Sequence, residues 1–206
     1  MIVLASTSSF RRQLLQRLGL PFLAVAPAAD EGAVHGLPPA DLAVARARLK
    51  AESLASDFPE TLIIGSDQIA CIDGEILNKP GTEERARAQL RRLTGREHEL
   101  LTAVAVHEPA TGRTEAEACR HVLRMRVLSE EQIAAYVAHD QPLASAGSFK
   151  IESLGIALFE SITGADDTAI IGLPLLLLTG LLARFEVDVL LRRWRNVPLL
   201  PPAESR

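Results

Sequence analysis

Apolar positions along the chain fall into short runs and helical stripes that predict alternating strands and helices. Ile2–Ala5 is an apolar run read as a first buried strand. Leu14, Leu15 and Leu18 then recur at helical spacing. The serines of Ser6-Thr7-Ser8-Ser9 supply N-caps before them and Gly19 a stop. Pro39 to Ser56 reads as a second helix with Leu42, Ala45 and Leu49 on its apolar face and Lys50 and Glu52 pointing elsewhere. Leu62-Ile63-Ile64 reads as a strand ended by Gly65 and Ser66, which sets Asp67 at its carboxyl end, where open α/β sheets form their ligand crevice. Asp73-Gly74 between apolar runs predicts a hairpin, returning the chain so that Lys79 comes near Asp67.

Further along, Thr82 caps a helix with Glu83 and Glu84 in its first turn, a stripe of Ala86, Leu90 and Leu93, and Gly95 as its stop. Glu99–Val106 and Ala116–Val127 are strand-like, with Arg120, Arg124 and Arg126 marking a solvated face. Ser129-Glu130-Glu131-Gln132 is a capping box that opens a helix through Ile133, Tyr136 and Val137. Ile156–Phe159 is expected to return to strand, and Leu173–Leu182 to form a core helix with Pro174 in its first turn. The alternation points to an α/β fold. One domain is expected over residues 1–190, built as two lobes. Residues 191–206, with three prolines and clustered arginines from Arg192 on, are expected to form a frayed, flexible tail.

Composition narrows the function classes. Of 206 residues, 48% are apolar and 23% charged, the balance of an ordinary globular chain able to bury a core. A net charge of -4 speaks against general binding to nucleic acid or an anionic membrane. The Leu173–Leu182 segment falls short of the ~20 residues a membrane span needs. Cys71 and Cys119 make no CxxC pair and the five histidines show no ligand spacing, so reduced thiols and no zinc site are expected. The amino terminus carries no signal-peptide pattern.

Two places carry candidate chemistry. A strand, a hydroxyl-rich turn and a helix N-terminus, in that order over residues 2–10, bind anions through free backbone N–H groups. Arg11 and Arg12 in the first turn oppose the helix dipole at ~0.3–1 kcal/mol each, a penalty that a bound polyanion removes. The competing reading is two solvated arginines. Asp67 with Lys79 suits chemistry on a phosphate ester, against a turn aspartate and a surface lysine. Asp30-Glu31 in a Pro-, Ala- and Gly-rich loop reads alone as a solvated acidic loop, and Lys50 as exposed unless its helix borders the phosphate site. Ala146–Gly155 joins small residues to Lys150 and Glu152, a composition common in binding loops.

Taken together, Ser6-Thr7-Ser8-Ser9-Phe10-Arg11-Arg12 with Leu14-Leu15, Asp30-Glu31, Gly65-Ser66-Asp67-Gln68, Lys79-Pro80, Ala146-Gly147-Ser148 and Gly172-Leu173-Pro174 resemble the Maf family in order and spacing. The resemblance covers Ile2 to about Phe185. It implies an elongated α/β fold, a curved mixed β-sheet flanked by helices with a central nucleotide cleft. It also implies a cytoplasmic nucleoside triphosphate pyrophosphatase, often a homodimer, that cleaves between the α- and β-phosphates with a divalent cation (Mg, Mn or Co). By the same resemblance Asp67, Lys79 and Glu31 are catalytic, and Asp67 and Glu31 hold the metal. Ser6, Arg11, Arg12 and Lys50 bind the phosphates.

Phe10, Gln68 and Glu152 stand where the family's branches differ and resemble the branch acting on 7-methyl-GTP, which typically has Trp at the first of these positions, preceded by Pro where this chain has Ser9. Methylation at N7 makes guanine a cation, which an aromatic face attracts by ~0.5–2 kcal/mol. Glu152 can accept from the guanine N1–H and N2–H groups, and the Gln68 amide can donate and accept at a base edge. The alternatives are a dTTP, UTP or other non-canonical nucleotide pyrophosphatase, or a non-catalytic nucleotide-binding regulator of septum formation.

Overall fold

The computed structural model describes residues 1–195 and 197–199. Strand β1 (Ile2–Ala5) lies between β2 (Phe22–Val25) and β3 (Leu62–Ile72) and runs parallel to both. Antiparallel pairing then carries the sheet from β3 to β5 (Glu97–Glu108), β6 (Arg113–Met125) and β7 (Phe159–Thr163). The short β4 (Glu75–Leu77) pairs with the far end of β3, completing a mixed seven-stranded sheet. Asp73 and Gly74 both take positive φ, the turn that a tight two-residue hairpin requires.

Helices cover both faces. On one, α1 (Ser9–Gln16) and α6 (Leu175–Arg184) bury Leu14, Leu15, Leu178 and Leu182 against Ile2, Leu4 and Ile64. On the other, α2 (Pro39–Glu52) packs over Val3, Ala5 and Ile63. The β1 residues thus alternate between two cores and are all buried, as expected of a parallel strand covered on both sides. A third core joins α3 (Glu83–Leu93) and α4 (Glu130–Asp140) to Ala70, Ile72, Leu100 and Leu123 at the other end of the sheet. Thr82 and Ser129 cap these two helices as the sequence predicts, Ser129 with its full capping box.

Four expectations need correction. β3 does not stop at Gly65 but runs 11 residues, so Asp67 stands mid-strand, opposite Ala103 of β5. Gly65 serves close approach instead: a Cβ there would lie 2.2 Å from the Ala47 carbonyl oxygen, so only glycine lets the α2 backbone rest on the strand. That contact also turns α2. Its buried residues are Leu42, Ala43, Ala47, Lys50 and Ala51, while Ala45 and Leu49 are half-buried, so the lysine faces inward. The stretch at 156–159 is mostly a 3-10 turn, Leu154–Leu158, and the strand begins only at Phe159. Here Gly155 packs on the Lys150 carbonyl, 2.2 Å from where its Cβ would be, and the chain doubles back.

The expected tail is also partly ordered. β8 (Val187–Asp188), β9 (Arg193–Trp194) and β10 (Val197–Pro198) form a small antiparallel sheet. Arg195 anchors it, its Nη2 donating to buried Glu108 at 2.7 Å and its Nε to Glu186 at 2.9 Å. The remainder of that segment, residues 196 and 200–206, lies outside the described residues. Among the described residues no helix is long and apolar enough to cross a membrane.

Candidate active site

The sheet itself opens the site. β1 pairs with β3 only as far as Ile64, and β4 joins the same edge only at Ala70. Residues 65–69 of β3 are left without a strand on that side, and a cavity of about 810 Å³ opens there. Its walls are the turn after β1, the start of α1, one face of α2, the loop after β4 and the loop around residues 144–152.

At its floor a lysine joins two carboxylates. Lys50 is 6% exposed, and its Nζ lies 2.7 Å from Asp67 Oδ1 and 3.1 Å from Glu31 Oε1. The second oxygen of Asp67, Oδ2, is buried and has no hydrogen-bond partner. A buried carboxylate oxygen without a donor is costly unless a ligand uses it. Glu31 opens the 3-10 turn Glu31–Ala33, capped by Asp30, whose Oδ1 accepts from the Gly32 N–H at 3.0 Å. Partial burial works to raise the Glu31 carboxyl. Lys50, then Lys79 and Arg46, more than offset it, and the group is held below the ordinary carboxylate value.

Around this floor the backbone is closely tied. Ser8 caps α1, its Oγ accepting from the Arg11 N–H at 3.3 Å, and Ser6 Oγ accepts from the Ser8 N–H at 3.1 Å. Arg11 Nε donates to the Gly172 carbonyl at 2.8 Å, beyond the end of α5 (Asp167–Ile171). Burial pulls the Arg11 guanidinium below its ordinary value, and Asp67 and Glu31 oppose that shift. The hydroxyl of Ser66 can donate to the Ala103 or the Gly172 carbonyl, at 2.8 and 2.9 Å. On the opposite wall, Gln89 of α3 donates to the Asn78 carbonyl at 2.7 Å, fixing the chain just before the exposed Lys79. Glu152 lies between two tethers: Lys150 Nζ donates to the Asp140 carbonyl at 2.6 Å, and Ser153 Oγ to Asp140 Oδ2 at 2.7 Å. Loss of water around Glu152 raises its carboxyl above the ordinary value, Lys150 opposing and Asp140 adding to the shift.

Of the residues singled out in the sequence, Ser6, Phe10, Arg11, Glu31, Lys50, Asp67, Gln68, Lys79 and Glu152 all line this one cavity. Arg12 does not. Successive helical residues are about 100° apart, so with Arg11 turned inward Arg12 projects over a shallow hollow beside Gln16 and Phe22. Gln68 lies in the wall with a different task from the one expected. Its Nε2 is within 3.1 Å of Thr102 Oγ1 and of the Ala169 and Ile170 carbonyls, so both amide hydrogens are committed inside the protein. Arg46, which the sequence reading passes over, also lines the cavity, as does Lys150 of the candidate binding loop. The signal for Arg46 was its position one helical turn before Lys50.

Among the described residues no group of three or more His, Cys, Asp or Glu side chains forms a metal cage. The donors on offer are Asp67, with its unpartnered Oδ2, and Glu31. Two carboxylates fit a hydrated magnesium-like ion that takes its remaining ligands from water and phosphate oxygens.

The family described as Maf-like protein matches residues 1–185. A 7-methyl-GTP pyrophosphatase of Bordetella pertussis is 49% identical over 189 residues, 92% of this chain and 94% of that one. Another, from Pseudomonas putida, is 46% identical over 91% of this chain and 98% of its own. A far weaker likeness, to a HAM1 protein from Coxiella burnetii, has 18% identity and a TM-score of 0.48 over 89% of this chain and 98% of that one, and bears on neither fold nor chemistry. With a family match from the first residue to the end of α6 and near-half identity to these relatives, the chain belongs to the Maf-like protein family.

Proposed function

We propose that this protein hydrolyses 7-methyl-GTP to 7-methyl-GMP and diphosphate. The observation that carries the reading is that Phe10 and Glu152, suited to a cationic guanine, line the same cavity as the Asp67–Lys50–Glu31 cluster, suited to phosphate chemistry. The names of relatives sharing nearly half their residues with this chain support it.

In this reading Lys50 holds Asp67 by Oδ1 and leaves Oδ2 facing the water to be activated. That water attacks the α-phosphorus. A new P–O bond forms, the bond to the bridging oxygen of the β-phosphate breaks, and the water's proton passes to the Asp67 carboxylate. Lys79, Arg11 and the free N–H groups at the start of α1 neutralise charge gathering on the departing diphosphate. A divalent ion held by Asp67 and Glu31 would, when bound, shield the phosphates and make a water ligand more acidic. The choice among Mg, Mn and Co, a homodimer and a cytoplasmic location accompany the proposal on the strength of the family resemblance.

The deciding experiment is product analysis with 7-methyl-GTP, GTP, dTTP and UTP, run on the wild type and on Phe10→Ala. The expected result is a clear preference for 7-methyl-GTP, which Phe10→Ala reduces several-fold relative to GTP, in line with a cation–π contact of ~0.5–2 kcal/mol. A preference for dTTP or UTP, or no pyrophosphate release from any of the four, would overturn the reading.

A further inference from the structure

The cations of the cavity are not equally available. The Lys50 ammonium is held by two carboxylates, that of Lys150 by the Asp140 carbonyl, and the Nε of Arg11 by the Gly172 carbonyl. Arg12, which the family resemblance implied at the phosphates, projects elsewhere. Arg46 is different. It lies one turn before Lys50 on the same face of α2 and lines the cavity, and its charge reaches Glu31. Among the described residues its Nε is buried without a hydrogen-bond partner, and the side chain makes one long bond, Nη2 to the Val34 carbonyl at 3.4 Å. A half-buried guanidinium with its buried Nε–H unused, lining a cavity that also holds Lys50 and Lys79, is prepared for an oxygen ligand that the protein does not itself supply.

We propose that Arg46 is a further binding residue for the diphosphate portion of the substrate, taking the place in the cavity that the family resemblance implied for Arg12. Its planar edge suits two phosphate oxygens at once, which a lysine at that position would not match. Arg46 and Lys79 both act on Glu31, so their charges fall around the same carboxylate, and Lys79 is the lysine assigned above to the departing diphosphate. The inference rests on the nucleotide-hydrolase reading above and adds a residue to it.

The test is calorimetric titration of the full chain, in magnesium-containing buffer, with inorganic pyrophosphate and separately with 7-methyl-GMP. Arg46→Leu is expected to weaken pyrophosphate binding about tenfold or more, the scale of one charge-assisted hydrogen bond, with 7-methyl-GMP binding unchanged. Arg46→Lys is expected to recover part of the loss. The proposal is overturned if Arg46→Leu binds pyrophosphate as the wild type does, if both ligands weaken equally, or if the wild type does not bind pyrophosphate. Should pyrophosphate binding depend on Arg46 while 7-methyl-GTP is left intact, the substrate reading fails and this one stands.

Discussion

The two walls of the cavity are built in opposite ways. On the α2 side the contact is backbone on backbone: Gly65 of β3 against Ala47 and Ala51, with Lys50 and Asp67 each 6% exposed. On the far side, Lys79 and Glu152 stand exposed on loops, held by side-chain bonds such as Gln89 to Asn78 and Ser153 to Asp140. A dense backbone contact fixes a side chain to a fraction of an ångström, as the making and breaking of bonds at phosphorus demands. A loop tethered by a few hydrogen bonds can differ in its contacts without disturbing the core, which suits the place proposed above for Glu152 against the base.

Substitutions test that contrast. The largest effect is expected from Asp67→Asn. The amide keeps an oxygen for Lys50, so thermal stability should change little, while turnover should fall about a thousandfold through loss of the base. Turnover within a few-fold of wild type would remove Asp67 from the chemistry. Next comes Gly65→Ala, whose added methyl meets the Ala47 carbonyl. It should cost about 3 kcal/mol in denaturant unfolding and lower activity by shifting Lys50, and a neutral effect would mean that the α2 contact is loose.

The far wall should respond to pH instead. His98 lies among Phe149 and Phe159 beneath that loop, 2% exposed, with neither ring nitrogen bonded, and burial lowers its pKa to about 4 from 6.5. The unfolded chain takes up a proton below pH 6.5 and the folded one does not. This contribution is therefore complete above pH 6.5 and is lost as pH falls toward 4, to a limit of about 3 kcal/mol. His98→Leu should flatten the unfolding free energy across that window relative to wild type. Parallel curves for the two proteins would mean that His98 takes up its proton in the folded state as well.

Much was legible in the sequence because local patterns encode it. The caps at Thr82 and Ser129, the Asp73-Gly74 turn and the apolar run of β1 need only their neighbours to be understood. Nine of the ten candidate residues, which the family resemblance and not a local pattern brought together, line one cavity. The tenth, Arg12, shows the limit. Adjacent positions on a helix point apart, and which of the two enters the cavity depends on how α1 sits against Gly172, 161 residues away along the chain.

By itself, then, the sequence determined the alternation of strands and helices, several of their caps and turns, and, through the family resemblance, a set of charged candidate groups. Tertiary structure decided how those groups are used. It made Gly65 a contact point and not a stop, drew Lys50 inward to clamp Asp67, committed the Gln68 amide to the α5 carbonyls and left the Arg46 Nε without a partner among the described residues. The physical reason is that a helix or strand is specified by residues a few places apart. The partner of a buried charge is set by packing between distant segments, and no local pattern records it.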